Sequence, residues 1–256
     1  MKKRPIVRYH GSKFRIAPWI ISYFPEHKVY IEPFGGGAGV LLKKPRSYAE
    51  IYNDLDGEIV NLFLVARDSG KRLKEYLELT PFSRKIYFDA YRSGRKSLER
   101  AANTVIKSIM GFGSDSIRQK SGFRSNSNRS YTTPAHDWKS YPECLEEITK
   151  RLQGVVIENM DAVDLIKKYD REDALFYVDP PYLHETRQSS KRYAVEMTDK
   201  QHEELAAVLR AVKGKVILSG YDSEMYKKLY SGWKCFKKKT LADGARKREE
   251  FIWVNF

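Results

Sequence analysis

Residues 176–182 read Phe-Tyr-Val-Asp-Pro-Pro-Tyr, an apolar run that ends on a carboxylate, two prolines and a phenol. Pro180 and Pro181 have fixed φ and no amide hydrogen, so the turn is stiff and offers acceptors only: the Asp179 carboxylate and the Pro180 carbonyl. Acceptors converging on one point suit an NH2 group, and Tyr182 beside them offers a face for a planar base. The implied ligand is the exocyclic amine of a nucleobase. Its lone pair is delocalised into the ring; hydrogen bonds to Asp179 and Pro180 would draw the nitrogen toward tetrahedral geometry and turn the lone pair outward. Such a site needs an electrophile. A sulfonium methyl group is one, and it requires neither a metal nor a covalent intermediate on the protein, so catalysis would rest on positioning and electrostatics.

Upstream, "EPFGGGAGV" has glycines at 35, 36, 37 and 39. Neither GxGxxG nor GxxxxGK[ST] aligns with it, which weakens the dinucleotide and P-loop readings. The mechanical point remains that glycines let a backbone turn sharply and approach a ligand closely. In "EIYNDLD", Asp54 follows the apolar Ile51 and Tyr52, where a second parallel strand ends. A carboxylate in that place commonly accepts hydrogen bonds from ribose hydroxyls. S-adenosyl-L-methionine has a ribose for Asp54, a charged methionine end for the glycine turn and a sulfonium methyl, and is the expected cofactor.

These residues need elements that bring them to one edge. "KVYIEPFGGG", "VVIENMD", "ALFYVDPPY" and "KVILSGYD" read as buried strands ending in polar or glycine-rich turns. Helical patterns lie between them. Thr198 and Gln201 form a capping box before "TDKQHEELAAVLRAVKG", with Gly214 in the place of a C-cap glycine. The alternation predicts a parallel α/β sheet covered on both faces, with ligands at the carboxyl ends of the strands. The rhythm is lost between about residues 65 and 150. "RAANTVIKSIM" still places Ala102, Val105, Ile106 and Ile109 on one helical face, but "GFGSDSIRQKSGFRSNSNRSYTT" reads as a long surface loop or ribbon. The expectation is a catalytic domain over 1–64 and 150–256, interrupted by an inserted domain over 65–149.

Charge says what the insertion meets. The chain of 256 residues has 47 Lys plus Arg against 33 Asp plus Glu, a net charge of +14. Residues 71–130 hold 14 of the basic residues and 5 of the acidic ones, nine of that surplus in under a quarter of the chain. A polyanionic partner is expected, and duplex DNA fits a large basic insertion, because phosphate contacts position a protein while base contacts specify sequence. The longest uncharged apolar stretch, Ile16–Pro25, is too short to span a bilayer, and "MKKRPIVRYHGSK" lacks the apolar core of a signal peptide, so a cytoplasmic, DNA-associated protein is expected. Cys144 and Cys235 lie far apart without a CxxC spacing, and the five histidines form no metal-ligand pattern; no metal is expected.

Taken together, these motifs resemble the Dam-like family of N6-adenine DNA methyltransferases over nearly the whole chain. "RYHGSK" resembles the family's opening motif, which implicates Tyr9 and Lys13 in binding the methyl donor; His10 stands where the family most often has a small residue. "YIEPFGGGAGV" resembles its donor-binding motif, implicating Glu32, Phe34, Gly35, Gly37 and Gly39. "NDLD" resembles the ribose-contacting acid (Asp54), and "ENMDAVDLI" the stretch beside the donor adenine, with Met160 and Asp161. "DPPY" matches the catalytic motif: Asp179, Pro180, Pro181 and Tyr182, with Asp179 also facing the donor. The order of motifs is that of the subgroup whose target recognition domain precedes DPPY. "GFGS" and "KSGFRSNSN" resemble its recognition hairpin, which implicates Arg118, Lys120, Arg124, Asn126 and Arg129 in DNA contact. The resemblance implies a Rossmann-like S-adenosylmethionine-dependent methyltransferase sheet with an inserted, mainly helical target recognition domain. It also implies a flipped adenine, a monomer that reads a short palindrome, and possible service in restriction-modification.

Related chemistry on the same platform leaves alternatives. Asp at position 179 resembles adenine enzymes, whereas Ser there would suggest cytosine N4 and Asn glutamine or RNA substrates. A DNA cytosine-N4 or RNA adenine methyltransferase therefore stays open, as does a non-catalytic DNA-binding protein that retains the fold. The basic run 234–248 reads as a solvated loop beside the closing strands "VILSGYD" and "REEFIWVNF", forming a hairpin that could touch phosphates.

Overall fold

The structure is a computed structural model that describes residues 4–92, 94, 96–126, 132–181, 197–220, 222–241 and 247–256, with backbone only at 241, 247 and 248. The strands are β1 (Val29–Glu32), β2 (Ala49–Asn53), β3 (Val155–Glu158), β4 (Ala174–Val178), β5 (Lys215–Gly220), β6 (Lys234–Leu241) and β7 (Lys247–Val254). They form one seven-stranded sheet in the order β3-β2-β1-β4-β5-β7-β6. The pairings that join β1 to β5 are parallel, while β7 runs antiparallel to both β5 and β6. Every residue of β1 and β4 is buried, which accounts for their unbroken apolar runs. One face of the sheet, with Ile31, Phe176, Val178, Leu218 and Trp253, packs against Leu165 and Ile166 of helix Ala162–Tyr169 and Leu205 and Leu209 of helix Asp199–Ala211.

Helix Asp199–Ala211 opens with the expected capping box: Thr198 Oγ1 accepts the Gln201 amide, and the Gln201 side chain accepts the Thr198 amide at 2.9 Å. Its far end differs from the expectation. Val212 ends the helix in extended conformation, and Gly214 has no left-handed φ. Gly214 serves close packing instead: a Cβ there would lie 2.9 Å from the Phe176 ring, and its amide donates to Asp170 Oδ1 at 3.0 Å. The basic run is also corrected in part. Residues 234–241 are the edge strand β6 rather than loop, with Lys234, Lys237, Lys238 and Lys239 exposed. Lysines on an unpaired strand edge discourage pairing with another chain.

The chain divides into two compact units. Lys13–Leu55 with Gly154–Phe256 carry the sheet; Met1–Ser12 with Asp56–Gln153 form a helical unit that contains residues 65–149 and the preceding helix. In the helical unit, Gly57–Asp68 starts at Asp56, whose carboxylate caps the Glu58 amide at 3.0 Å, and packs against Ser97–Met110 and Glu143–Leu152. Ala102, Val105, Ile106 and Ile109 are buried on one face of Ser97–Met110, as their spacing predicts. The stretch after this helix closes as a short ribbon: Gly111 bridges Phe123, the Phe112 amide donates to Gly122 O at 2.8 Å, and the Arg124 amide donates to Met110 O at 2.8 Å. Among the described residues no helix is long and apolar enough to cross a membrane, and no group of three His, Cys, Asp or Glu side chains could hold a metal ion.

Candidate active site

Strand register sets the site. Ile31 of β1 pairs with Phe176 of β4, so the segments after these strands, Pro33–Gly37 and Asp179–Pro181, leave the sheet side by side. Glu32 pairs with Tyr52, and Asn53 with Glu158, which sets Asp54 beside the glycine turn and beside Asn159–Asp161. Strand order reverses between β1 and β4, the place where an open α/β sheet forms its binding crevice.

The glycine turn is held from below by β2. The Gly35 amide donates to Asn53 O at 2.8 Å, the Tyr52 hydroxyl donates to Gly36 O at 2.7 Å, and the Gly36 amide donates to Asp54 Oδ2 at 2.7 Å. Gly36 (φ 47°) and Ala38 (φ 51°) both lie in the left-handed region, a strained place for alanine. Gly35 and Gly39 are needed for contact within the protein: a Cβ at 35 would sit 2.1 Å from the Tyr52 ring, and one at 39 would sit 2.7 Å from the Phe14 nitrogen. Gly37 is buried between them. Phe34 and Met160 are partly buried against the sheet core. Asp161 is the N-cap of helix Ala162–Tyr169, accepting from the amides of Val163 at 2.8 Å and Asp164 at 3.3 Å.

Two residues expected for different tasks meet at the end of β4. Lys13 Nζ lies 2.9 Å from each oxygen of Asp179, the lysine 5% and the aspartate 18% exposed. Pro180 is buried and Pro181 half-buried; Tyr182 lies outside the described residues. Glu32, on the neighbouring strand, is fully enclosed. Burial pushes its carboxyl up to about 8, against the pull of hydrogen bonds from the Tyr30 hydroxyl at 3.0 Å and the Leu41 amide at 3.1 Å. A largely protonated acid therefore sits beneath an ion pair.

One residue that matters here was not singled out from the sequence. Asn53, fully buried at the end of β2, donates through Nδ2 to Pro33 O at 2.8 Å and Met160 O at 3.0 Å, and accepts the Met160 amide at 2.9 Å. The available signal was its place in "NDLD": an amide side chain at the end of an apolar strand has backbone groups of neighbouring loops to satisfy.

The remaining candidates belong to the helical unit. The Arg118 guanidinium lies over the Tyr9 ring, 5.2 Å from its centroid, donates to the Tyr9 hydroxyl, and pairs with Asp56 at 2.9 Å. Arg124 is 10% exposed, donates to Ile109 O at 2.8 Å and faces Asp137 at 3.6 Å. Lys120 and Asn126 are exposed, with the Lys120 ammonium 4.9 Å from the Phe88 ring centroid. His10 faces Ser114 at 3.3 Å. Arg129 lies outside the described residues.

Residues 9–243 match the family described as D12 class N6 adenine-specific DNA methyltransferase. DNA adenine methylase from Haemophilus influenzae is 24% identical over 271 residues, spanning 99% of this chain and 92% of that protein. Type II methyltransferase M.MjaIII from Methanocaldococcus jannaschii is 24% identical over 284 residues, spanning 99% of this chain and 98% of that one.

Proposed function

The chain belongs to the D12 class of N6 adenine-specific DNA methyltransferases, and from that premise we propose how its residues divide the work. The reaction is transfer of a methyl group from S-adenosyl-L-methionine to the N6 amine of adenine in duplex DNA, a reading that the family match favours over the cytosine, RNA and non-catalytic alternatives. The observation that carries the assignment of roles is Asp179, held by Lys13 at the switch point between β1 and β4.

The target adenine is turned out of the duplex and presents N6 to Asp179 and to the Pro180 carbonyl, while Tyr182 stacks on the ring. Each carboxylate oxygen can accept more than one hydrogen bond, so Asp179 can keep Lys13 and take an N6 hydrogen as well. Lys13 fixes the plane of the carboxylate, and Asp179 with Pro180 directs the N6 lone pair outward. The proton that N6 loses leaves along its hydrogen bond to Asp179. S-adenosylmethionine, when bound, supplies an electrophilic methyl group on a positively charged sulfur.

The chemistry of the residues present fits that donor. Asp54 is a carboxylate for the ribose hydroxyls, Phe34 and Met160 give apolar surface for the adenine, and the Gly35–Gly39 turn admits the methionine end. Tyr9, Glu32 and Asp161 are assigned to donor binding by resemblance. The helical unit binds the duplex, with Lys120, Asn126 and Arg129 toward DNA. Arg118 and Arg124 shape the ribbon through the pairs they make inside the unit. The protein acts as a monomer in the cytoplasm, where it meets DNA.

The test is incubation with methyl-labelled S-adenosylmethionine and unmethylated duplex DNA, followed by digestion and mass spectrometry of the nucleosides. Label should appear in N6-methyl-2′-deoxyadenosine. Asp179→Ala should lose at least ~100-fold in single-turnover rate, as removal of a polarising group in a preorganised site does. Wild-type turnover in that variant would sink the assignment.

A further inference from the structure

We propose that Asn53 is a positioning residue for the methyl donor: it locks the turn after β1 to the turn after β3, so that the two walls of the donor site behave as one body. The inference rests on the donor-site reading above and goes beyond it, since the carboxylate beside Asn53 is the residue assigned to the ligand.

Asn53 uses three hydrogen bonds on two loops. Its amide hydrogens reach Pro33 O and Met160 O, and its carbonyl oxygen accepts the Met160 amide. Met160 is thereby clamped at both backbone groups, as a residue in a β-ladder would be, although it lies beyond the end of β3. Pro33 begins the glycine turn and has no amide hydrogen, so its carbonyl is its only backbone group able to bond. The main chain of Asn53 adds a further tie, because its carbonyl accepts the Gly35 amide at 2.8 Å. The next residue extends the network: Asp54 holds the Gly36 amide through its side chain, and its carbonyl accepts from Asn159 Nδ2 at 2.6 Å.

No substitution can reproduce this set. Alanine leaves the buried Pro33 carbonyl and the partly buried Met160 carbonyl and amide without their partner, and aspartate sets a carboxylate against two carbonyls. Its hydrogen bonds all run to Pro33, Gly35 and Met160 of the sheet-bearing unit, so its loss should fall on the donor.

The experiment measures three quantities in wild type, Asn53→Ala and Asn53→Asp: binding of S-adenosylhomocysteine by calorimetry, binding of a nonspecific duplex by anisotropy, and the methyl-transfer rate at saturating donor. Both variants should bind S-adenosylhomocysteine about tenfold or more weakly, a change of the size expected for losing buried hydrogen bonds, with duplex affinity within about twofold of wild type. The rate at saturating donor should fall much less than the donor affinity. Asn53→Asp should also regain donor affinity as pH is lowered, because a protonated carboxyl recovers one donor, whereas Asn53→Ala should not. In wild type the Met160 amide should exchange slowly with solvent, a check that needs no variant. Donor affinity within twofold of wild type in a folded Asn53→Ala, or equal loss of donor and duplex affinity, or a fast-exchanging Met160 amide, would each overturn the proposal. Failure of wild type itself to bind S-adenosylhomocysteine would instead overturn the donor-site reading beneath it.

Discussion

At the scale of the residue, Glu32 gives the clearest consequence. Its carboxyl titrates near 8 in the folded protein and near 4.5 when exposed, so the folded state binds the extra proton between those values. Stability from this group is therefore highest below about pH 4.5 and declines as pH rises toward 8. Glu32→Gln keeps an acceptor for Tyr30 and Leu41 and an NH2 in place of the acid hydroxyl, without the ionisation. The variant should gain on wild type by up to ~1.4 kcal/mol per pH unit between about pH 5 and 8, read from urea unfolding of both proteins at several pH values. A constant difference across that range would show that Glu32 is not held as the acid. The places of Asp179 and Asp54 just beyond strand ends were legible because each follows an apolar run. The Lys13–Asp179 pair was not, because its partners are 166 positions apart and only the sheet register brings them together. Nor was the clamp made by Asn53, since an asparagine one residue before a functional acid reads as part of the acid's turn.

At the scale of the element, the glycine turn and β2 are fitted to each other as much as to any ligand. The Gly35 backbone is not left-handed, so alanine is permitted there by conformation and opposed by the Tyr52 ring, whose nearest atom would lie 2.1 Å from the new Cβ. That ring is fully buried and anchored by its hydroxyl to Gly36 O, leaving it little room to retreat. Gly35→Ala should cost ~1–3 kcal/mol of stability, as overpacking of a tight interior does, and weaken donor binding; thermal unfolding and a donor titration would check both. The strands β1, β4 and β5 were readable as apolar runs because both of their faces are covered. β6 was not, because a lysine-rich edge strand has neither an apolar run nor an alternating face, and its pairing with β7 comes from the ladder. Gly214 shows the same limit in another form: a glycine after a helix reads as a C-cap, and only the nearby Phe176 ring reveals that the absent side chain is what matters.

At the scale of the whole molecule, charge governs the encounter with DNA. A net charge of +14 predicts binding whose logarithm falls linearly with the logarithm of salt concentration, over a nonspecific background. Lys120→Ala should reduce that slope by about one if the ammonium meets a phosphate, and should leave S-adenosylhomocysteine affinity unchanged. An unchanged slope with relaxed target choice would assign Lys120 to a base. Arg124 is the poorer probe, because its guanidinium is mostly enclosed against Ile109 and Asp137, and its loss would disturb the ribbon before it reported on DNA. The basic concentration in residues 71–130 was plain from composition. Less plain was that residues 1–12 group with it, since nothing in "RYHGSK" marks a change of neighbourhood between Ser12 and Lys13.

That grouping bears on how such enzymes can be recombined. The chain leaves the helical unit after Ser12, returns to it at Asp56 and leaves again after Gln153, so the unit is woven from two separate stretches of the gene. Transplanting residues 65–149 alone into a relative would carry the ribbon without Asp56, which pairs with Arg118, and without Tyr9, which lies beneath it. On the proposed assignment of the helical unit to DNA, an exchange of target preference moves Met1–Ser12 and Asp56–Gln153 together. A single crossover between Ser12 and Asp56, or within the middle segment, would separate them, whereas one after Gln153 keeps them together.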